Sequence, residues 1–137
     1  MSERSVVLRS GQEVDAVPEI SFPVEVVEGV PVVTAPEEID LANAAGLRAA
    51  LLEAARPELA RPELTEPGRT LVVVDMSRTR FCDSAGLNAL VGAARQARAD
   101  GGEVRLVVVG EAVARIVAIT GVDRVIPIYA SLEEALT

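Results

Sequence analysis

The chain has 137 residues, which suits one domain with one core, and half of its residues are hydrophobic. Its formal net charge of -8 disfavours binding to the phosphate backbone of nucleic acids and to anionic membrane surfaces. All positive side chains are arginines, and the absence of histidine and lysine removes the usual general base, a common metal ligand and the lysine of P-loop and Schiff-base enzymes.

The first 20 residues mix charged residues with Ser, Gly and Pro18 and show little periodicity. We expect residues 1–20 to form a flexible arm before a domain that spans residues 21–137. The segment from Met1 to Gly11 lacks the apolar stretch of a secretory signal, and no apolar run approaches the roughly 20 residues that span a bilayer. The one cysteine, Cys82, excludes an internal disulfide. These features favour a cytoplasmic protein.

Five segments rich in branched aliphatic residues predict the strands of a sheet. Glu28 and Gly29 separate the first two, which therefore form a hairpin, and Pro31 predicts that the second lies near an edge or begins after the proline. The third has an uninterrupted apolar run, as in a strand covered on both faces, and the fourth is predicted to be a second buried strand with Arg105 near its start. Pro127 predicts an edge position for the last. The predicted strands are Val24–Val27, Val30–Thr34, Thr70–Asp75, Val104–Val109 and Val125–Ile128.

Four segments with apolar residues at helical spacing predict helices. Asp40 is the expected N-cap of the first, Gly121 closes the third, and Ser131 with Glu134 forms a capping box that starts the fourth. A proline-rich loop of about a dozen residues is expected after the first helix. The first helix is predicted to end near Arg56 and the loop to span Pro57–Arg69, followed by helices at Ala85–Ala99, Glu111–Thr120 and from Ser131 onwards.

The predicted order of elements is β-β-α-β-α-β-α-β-α. Parallel strands joined by helices, with one antiparallel strand at the start, predict an α/β domain with a mixed, mostly parallel five-stranded sheet and about four helices. One side of the second helix carries the small residues Ala85, Ala89, Gly92 and Ala93. Such a surface permits close approach by another backbone, although alanine is also common throughout the chain.

Ser84 follows a predicted buried strand and precedes the second helix. A hydrolase nucleophile at such a turn has the motif G-x-S-x-G, whose first glycine is missing here, and a chain without histidine or lysine offers no base for the serine proton. A phosphoacceptor role for Asp75 is rejected as well, because receiver domains also need an acidic pair and a lysine. Ser84 is therefore either an acceptor of phosphate from another protein or only the N-cap of the helix.

The start of a helix suits an anion, because free backbone N–H groups and the positive end of the dipole face it. Arg78 and Arg80 lie in the preceding turn, whereas Asp83 adds a like charge beside the serine. As an N-cap, Ser84 would contribute about 1 kcal/mol to the helix. Spacing alone favours the N-cap.

The segments Val72–Ser77 and Phe81–Leu87, with their D-S-x-G-L core, resemble the signature of the STAS domain in its anti-sigma factor antagonist branch. The resemblance continues through later segments and covers roughly residues 24–137; these segments are Ala99–Gly102, Ile119–Val125 and Ser131–Leu136. It implies a STAS-like single domain with Ser84 as the phosphorylation site. Ala85 replaces the family's second hydroxyl residue, which leaves Ser84 as the acceptor.

The resemblance also implies a phosphorylation-controlled binding protein, not an enzyme, that has no cofactor and regulates transcription indirectly in stress-response or sporulation signalling. Its expected partners are an anti-sigma factor serine kinase, which supplies the ATP, and a serine phosphatase, without nucleic acid or membrane. The implied partner-binding residues are Asp40, Asp83, Ser84, Ala85, Gly86, Asn88, Ala89 and Gly92.

The chain departs from the family before the first helix, where Pro36–Asp40 replaces the family's G-E-L-D. This loop belongs to the family's partner surface, so the departure leaves the identity of the partner open. The alternative interpretation is a STAS scaffold or sensory module in a larger signalling assembly, which keeps the fold without the switch.

Overall fold

A computed structural model of the protein describes residues 22–56 and 70–137. The predicted arm at 1–20 and the predicted loop at 57–69 lie outside these residues. The strands are β1 Val24–Val27, β2 Val30–Thr34, β3 Glu38–Ile39, β4 Thr70–Met76, β5 Phe81–Cys82, β6 Gly102–Val108 and β7 Ile128–Tyr129. The helices are α1 Ala44–Ala54, α2 Ser84–Ala99, α3 Glu111–Thr120 and α4 Leu132–Ala135, with a 3₁₀ turn at Val122–Arg124.

The main sheet has five strands in the order β1-β2-β4-β6-β7. β1 runs antiparallel to β2, and all other neighbours in this sheet are parallel. Val72, Val73 and Val74 in β4 are fully buried because β4 is the central strand and both of its faces are covered. The mixed, mostly parallel five-stranded α/β fold is therefore confirmed, together with the opening hairpin.

The first alternative predicted from Pro31 is confirmed, because β2 lies next to the edge strand β1, but the strand does not begin after the proline. The proline lies inside β2, which pairs with β1 on one side and with β4 on the other. The pairing with β4 begins only at Val32, so the missing N–H of Pro31 does not interrupt that ladder. The inner strand β2 thus accommodates the proline, because its pairing with β4 starts only at the next residue.

The two faces of the sheet are covered unequally. Helices α1, α2 and α3 bury the larger core on one face, with Leu47, Leu90 and Val113 fully enclosed. The short helix α4 covers the other face with Ala135 and neighbouring apolar residues. No helix in the described ranges is both long enough and apolar enough to cross a membrane.

Several predicted ends and caps shift in the structure. The last strand is at an edge, as predicted, but comprises Ile128–Tyr129. It starts later than predicted because the N–H groups of Val125 and Ile126 donate back to the Val122 carbonyl at the end of the 3₁₀ turn. The Gly121 cap of α3 is confirmed, with a φ of 82°. Ser131 caps α4 through the Glu134 N–H at 3.1 Å, while the Glu134 carboxylate accepts from the Ala130 N–H at 3.4 Å instead of closing the full capping box.

Candidate functional site

A second, two-stranded sheet joins the loops that follow β2 and β4. β3 and β5 pair in parallel, with Ile39 opposite Cys82. Both strands were missed in the sequence, because two residues carry no periodic signal. The Glu37 carbonyl accepts from the N–H groups of Arg80 and Phe81 at 2.7 and 3.2 Å, which extends the link between the loops. The loops at 35–43 and 77–83 therefore form one unit at the carboxyl ends of β2 and β4.

A buried threonine holds the two joined loops together through hydrogen bonds. Thr79 is 1% exposed, and its hydroxyl donates to the Pro36 carbonyl at 2.8 Å. Its N–H donates to the Met76 carbonyl at the end of β4, so it also fixes the turn that leaves the main sheet. The hydrogen bonds of a buried residue, and not contacts at the surface, therefore fix the position of the loop at 77–83.

Ser84 is the first residue of α2, and Asp83 is the N-cap. The Asp83 carboxylate accepts from the Gly86 N–H at 2.9 Å through Oδ1. The interpretation of Ser84 as the N-cap was therefore wrong: both residue types cap helices well, and Asp83 holds the position. Ser84 is exposed, and no residue within 22–56 or 70–137 forms a hydrogen bond with its hydroxyl.

Asp83 also connects α2 to the loop before α1. Its second oxygen, Oδ2, accepts from the N–H of Leu41 at 3.2 Å, and its own N–H donates to the Ile39 carbonyl at 3.0 Å. One residue thus binds the start of α2 on one side and the β3–α1 loop on the other. The Asp83 side chain is consequently occupied within the domain by two backbone donors.

Asp40 does not cap α1, contrary to the prediction, because α1 begins four residues later at Ala44. Its carboxylate accepts from the Ala42 N–H at 3.0 Å, which makes a tight local turn. The Asn43 side chain stabilises the same turn: it accepts from the Asp40 N–H at 3.0 Å and donates to the Glu38 carbonyl at 2.9 Å. Asp40 therefore shapes the loop that carries Leu41, and it remains half-exposed beside it.

Gly86 is required by close packing under the site. A Cβ at this position would lie 2.6 Å from Ile39 Cγ2 and 2.8 Å from Cys82 Sγ, distances that real Cβ atoms do not reach. The glycine lets the first turn of α2 rest directly on the β3–β5 pair. Gly86 is itself buried and does not offer a contact surface. Its close packing fixes the distance between Ser84 and the two joined loops.

Cys82 is not available for chemistry at neutral pH. Its thiol is 2% exposed, and burial, with a smaller contribution from the Asp83 charge, raises its pKa to about 11. A neutral, enclosed thiol is a poor nucleophile. Within the described parts of the chain, no group of His, Cys, Asp and Glu side chains is arranged to hold a metal ion.

The remaining predicted residues divide between surface and interior. Asn88 is exposed one turn after Ser84, and Ala85 is half-buried between them. Ala89 is 7% exposed, and a Cβ on Gly92 would come within 3.1 Å of the Arg48 guanidinium carbon on α1. The small residues of α2 therefore pack partly against α1 of the same chain. The outward surface around Ser84 comprises Ala85 and Asn88 from α2.

Two exposed hydrophobic residues beside Ser84 were missed. Leu41 is 80% exposed and Phe81 is 47% exposed, each on one of the two joined loops. Phe81 is close to the D-S motif in the sequence, but Leu41 is 42 residues from Asp83 and comes next to it only through the fold. The arginines of the second loop are exposed too, and Arg80 lies 3.9 Å from the Glu37 carboxylate.

The solved structures that resemble the chain include an anti-sigma factor antagonist. A crystal structure of such a protein from Mycobacterium paratuberculosis has 28% sequence identity and a TM-score of 0.67, and the match covers 90% of this chain and 96% of that one. The Bacillus cell fate determinant SpoIIAA in its phosphorylated form has 21% identity and a TM-score of 0.59, with 85% and 96% covered. At that identity the second match supports the fold alone.

The same fold also occurs inside a much larger protein. The murine anion transporter Slc26a9 in its inward-facing state matches with 22% identity and a TM-score of 0.58, over 80% of this chain but only 17% of the transporter. A family model for the STAS domain matches residues 21–135, which include both joined loops and all of α2. The family predicted from the D-S-x-G-L segment is confirmed: the chain belongs to the STAS domain family.

Proposed function

We propose that the protein is an anti-sigma factor antagonist whose surface around Ser84 binds an anti-sigma factor kinase and releases it once Ser84 is phosphorylated. The observation that carries the proposal is that Ser84 is exposed and does not act as the N-cap of α2. Ser84 lies at the start of α2, and Asp83 performs the capping that would otherwise engage a serine hydroxyl there. A kinase therefore reaches this hydroxyl without disturbing the helix.

The electrostatics of the site give the direction of the switch. A phosphate on Ser84 brings about -1.5 to -2 charges at pH 7. The Gly86 N–H is already bound by Asp83, so the phosphate has a carboxylate as its immediate neighbour. A partner that covers this surface must desolvate both groups, which opposes binding. A loss of about 3 kcal/mol weakens an affinity more than a hundredfold, which is sufficient for a switch.

One of the similar proteins supports the same role: the Mycobacterium paratuberculosis protein, at 28% identity, is an anti-sigma factor antagonist. The chain lacks the histidine that most often serves as a general base and the lysine that grips phosphates in P-loop enzymes. In this proposal the protein binds and is modified, the partner kinase supplies the ATP, and a phosphatase resets the serine. Its effect on transcription is indirect.

The proposal is tested by incubating the protein with ATP and each candidate anti-sigma factor kinase of its host, followed by intact-mass measurement. We expect a mass gain of one phosphoryl group that disappears in Ser84→Ala. Ser77→Ala is the matched control, because Ser77 is an exposed serine in the preceding turn and its loss should leave the gain intact. No mass gain with any of these kinases would overturn the proposal.

A second candidate is a STAS module that serves as a scaffold or sensor in a larger assembly. The observation that favours it is the match to a domain that makes up 17% of an anion transporter. Such a module would keep the surface around Ser84 without using the hydroxyl. The mass measurement separates the two candidates, because only the antagonist gains a phosphoryl group at Ser84.

A further inference from the structure

Asp83 makes one hydrogen bond more than an N-cap requires. Capping α2 uses one carboxylate oxygen, Oδ1, at 2.9 Å from the Gly86 nitrogen. The other oxygen accepts from the N–H of Leu41 at 3.2 Å, across 42 residues of sequence. This second bond does nothing for the helix. It fixes the tip of the β3–α1 loop to the start of α2, directly beside Ser84.

The loop that Asp83 fixes is ordered within itself by other bonds. The Asn43 and Asp40 side chains close it on its own backbone at 2.9 to 3.0 Å. Those bonds set the shape of the loop but not its position relative to α2. At the tip, Leu41 is 80% exposed. The base of the loop is also held, because the Asp83 N–H donates to the Ile39 carbonyl at 3.0 Å and β3 pairs with β5. The bond from the Leu41 N–H to the Asp83 carboxylate holds the tip, which carries this apolar side chain.

We propose that Asp83 is a positioning residue: it holds Leu41 beside Ser84 so that a partner meets the loop and the helix as one surface. Each of its two carboxylate oxygens accepts from a backbone N–H of the domain, and we infer that it acts through these groups. A surface fixed in advance lowers the ordering cost of binding. The role in binding rests on the proposed function, whereas the link between loop and helix can be measured in the isolated protein.

Asp83→Asn separates the two functions of the carboxylate. Asparagine is as good an N-cap as aspartate, but it has one acceptor oxygen where aspartate has two. That oxygen can accept from the Gly86 N–H or from the Leu41 N–H, but not from both in the observed arrangement. The substitution therefore breaks the connection between the loop and α2, while the residue can still cap the helix. Asp100→Asn is the matched control, because it removes the same charge from an exposed position at the other end of α2.

The first measurement is amide hydrogen exchange by NMR on the free protein. In Asp83→Asn we expect the Leu41 amide to exchange about tenfold faster, which corresponds to about 1.4 kcal/mol. The Arg80 amide, which donates to Glu37 in the same pair of loops, should keep its wild-type rate. The second measurement is affinity for the kinase that modifies Ser84, which should fall about tenfold in Asp83→Asn and stay unchanged in Asp100→Asn.

Three results would overturn the inference. An unchanged Leu41 exchange rate in Asp83→Asn would show that the carboxylate does not hold the loop. A faster Leu41 rate with wild-type affinity would show that the partner does not need the loop in place. Equal acceleration at Leu41 and Arg80, with a lower melting temperature, would assign Asp83 a merely structural role. If the wild type binds no candidate kinase, the proposed function fails, while the exchange rates still decide the link.

Discussion

Position 86 leaves no room for a methyl group, although it lies in the first turn of a helix. A Cβ there would lie 2.6 Å from Ile39 and 2.8 Å from Cys82, both of which are buried. We expect Gly86→Ala to lower the free energy of unfolding by about 1–3 kcal/mol, because α2 must move off the β3–β5 pair. Urea denaturation measures the change.

Gly46→Ala is the control for that variant, because it also replaces a helical glycine. Among the described residues, its Cβ would meet only Phe22 Cε2, at an ordinary 3.5 Å. Alanine is the better helix former, so this variant should be as stable as the wild type or more stable, by up to about 1 kcal/mol. Equal stability of Gly86→Ala and Gly46→Ala would contradict the packing described beneath Ser84.

The Cys82 thiol predicts a pH dependence of stability. Its pKa in the folded protein is raised to about 11, mainly by burial, whereas an unfolded thiol titrates near 8.5. Because the folded pKa is the higher one, the fold favours the neutral thiol. The stabilisation is complete below about pH 8 and is lost as the pH rises through about 11.

Urea denaturation at pH 7.5 and pH 10 tests this dependence. The free energy of unfolding of the wild type should fall between the two values by more than that of Cys82→Ala, which has no thiol to ionise. The two proteins differ only in the side chain at position 82, so the difference between their pH dependences reports the thiol. An identical pH dependence in the two proteins would contradict the assignment to Cys82.

Sequence reasoning at the scale of single residues located Ser84 but assigned its structural role wrongly. Aspartate and serine are both good N-caps, and they are adjacent here, so spacing did not distinguish them. The identity of the cap follows from the backbone, which starts α2 at Ser84 and turns the Asp83 carboxylate towards the Gly86 N–H. The prediction that Asp40 caps α1 was wrong for a related reason. Its carboxylate accepts from the Ala42 N–H in a turn that lies before α1 begins.

At the scale of elements, the site depends on the β3–β5 pair and on the threonine below it. Thr79→Val removes the hydroxyl that donates to the Pro36 carbonyl at 2.8 Å, in a position that is 1% exposed. We expect a loss of about 1–3 kcal/mol in the free energy of unfolding, because a buried carbonyl loses its donor. Amide exchange at Arg80 and Phe81 should also accelerate.

Thr120→Val provides the comparison, because Thr120 is exposed at the end of α3 and its hydroxyl donates within the same helix, to Ile116, at 2.6 Å. Water replaces a lost hydrogen bond at such a site, so the change should stay within about 0.5 kcal/mol. If Thr79→Val is no more destabilising than Thr120→Val, the threonine does not lock the two loops together.

The elements that were predicted correctly are those with long patterns. The central strand has an apolar run from Leu71 to Val74 because it is covered on both faces, and α2 and α3 show helical spacing over 16 and 10 residues. β3 and β5 have two residues each, which is too short for any period. Their pairing depends on where β2 and β4 end in space, and this information is not local in the sequence.

At the scale of the whole molecule, the function follows from how the sheet presents its loops. The carboxyl ends of parallel strands lie at the same end of the sheet, so the loops after β2 and β4 start side by side. The β3–β5 pair joins them, and α2 starts from the joined loops with Ser84 exposed. A family resemblance predicted this region as the site, while the exposed Leu41 and Phe81 became evident only from the fold.

The central claim is that phosphorylation of Ser84 controls binding of an anti-sigma factor kinase. It is tested most directly by titrating the kinase with two forms of the purified protein, unmodified and carrying phosphoserine at position 84, in a calorimeter. The account predicts that the phosphorylated form binds at least about a hundredfold more weakly, and that Ser84→Ala binds as tightly as the unmodified form. Equal affinity of the two forms for the kinase would contradict it.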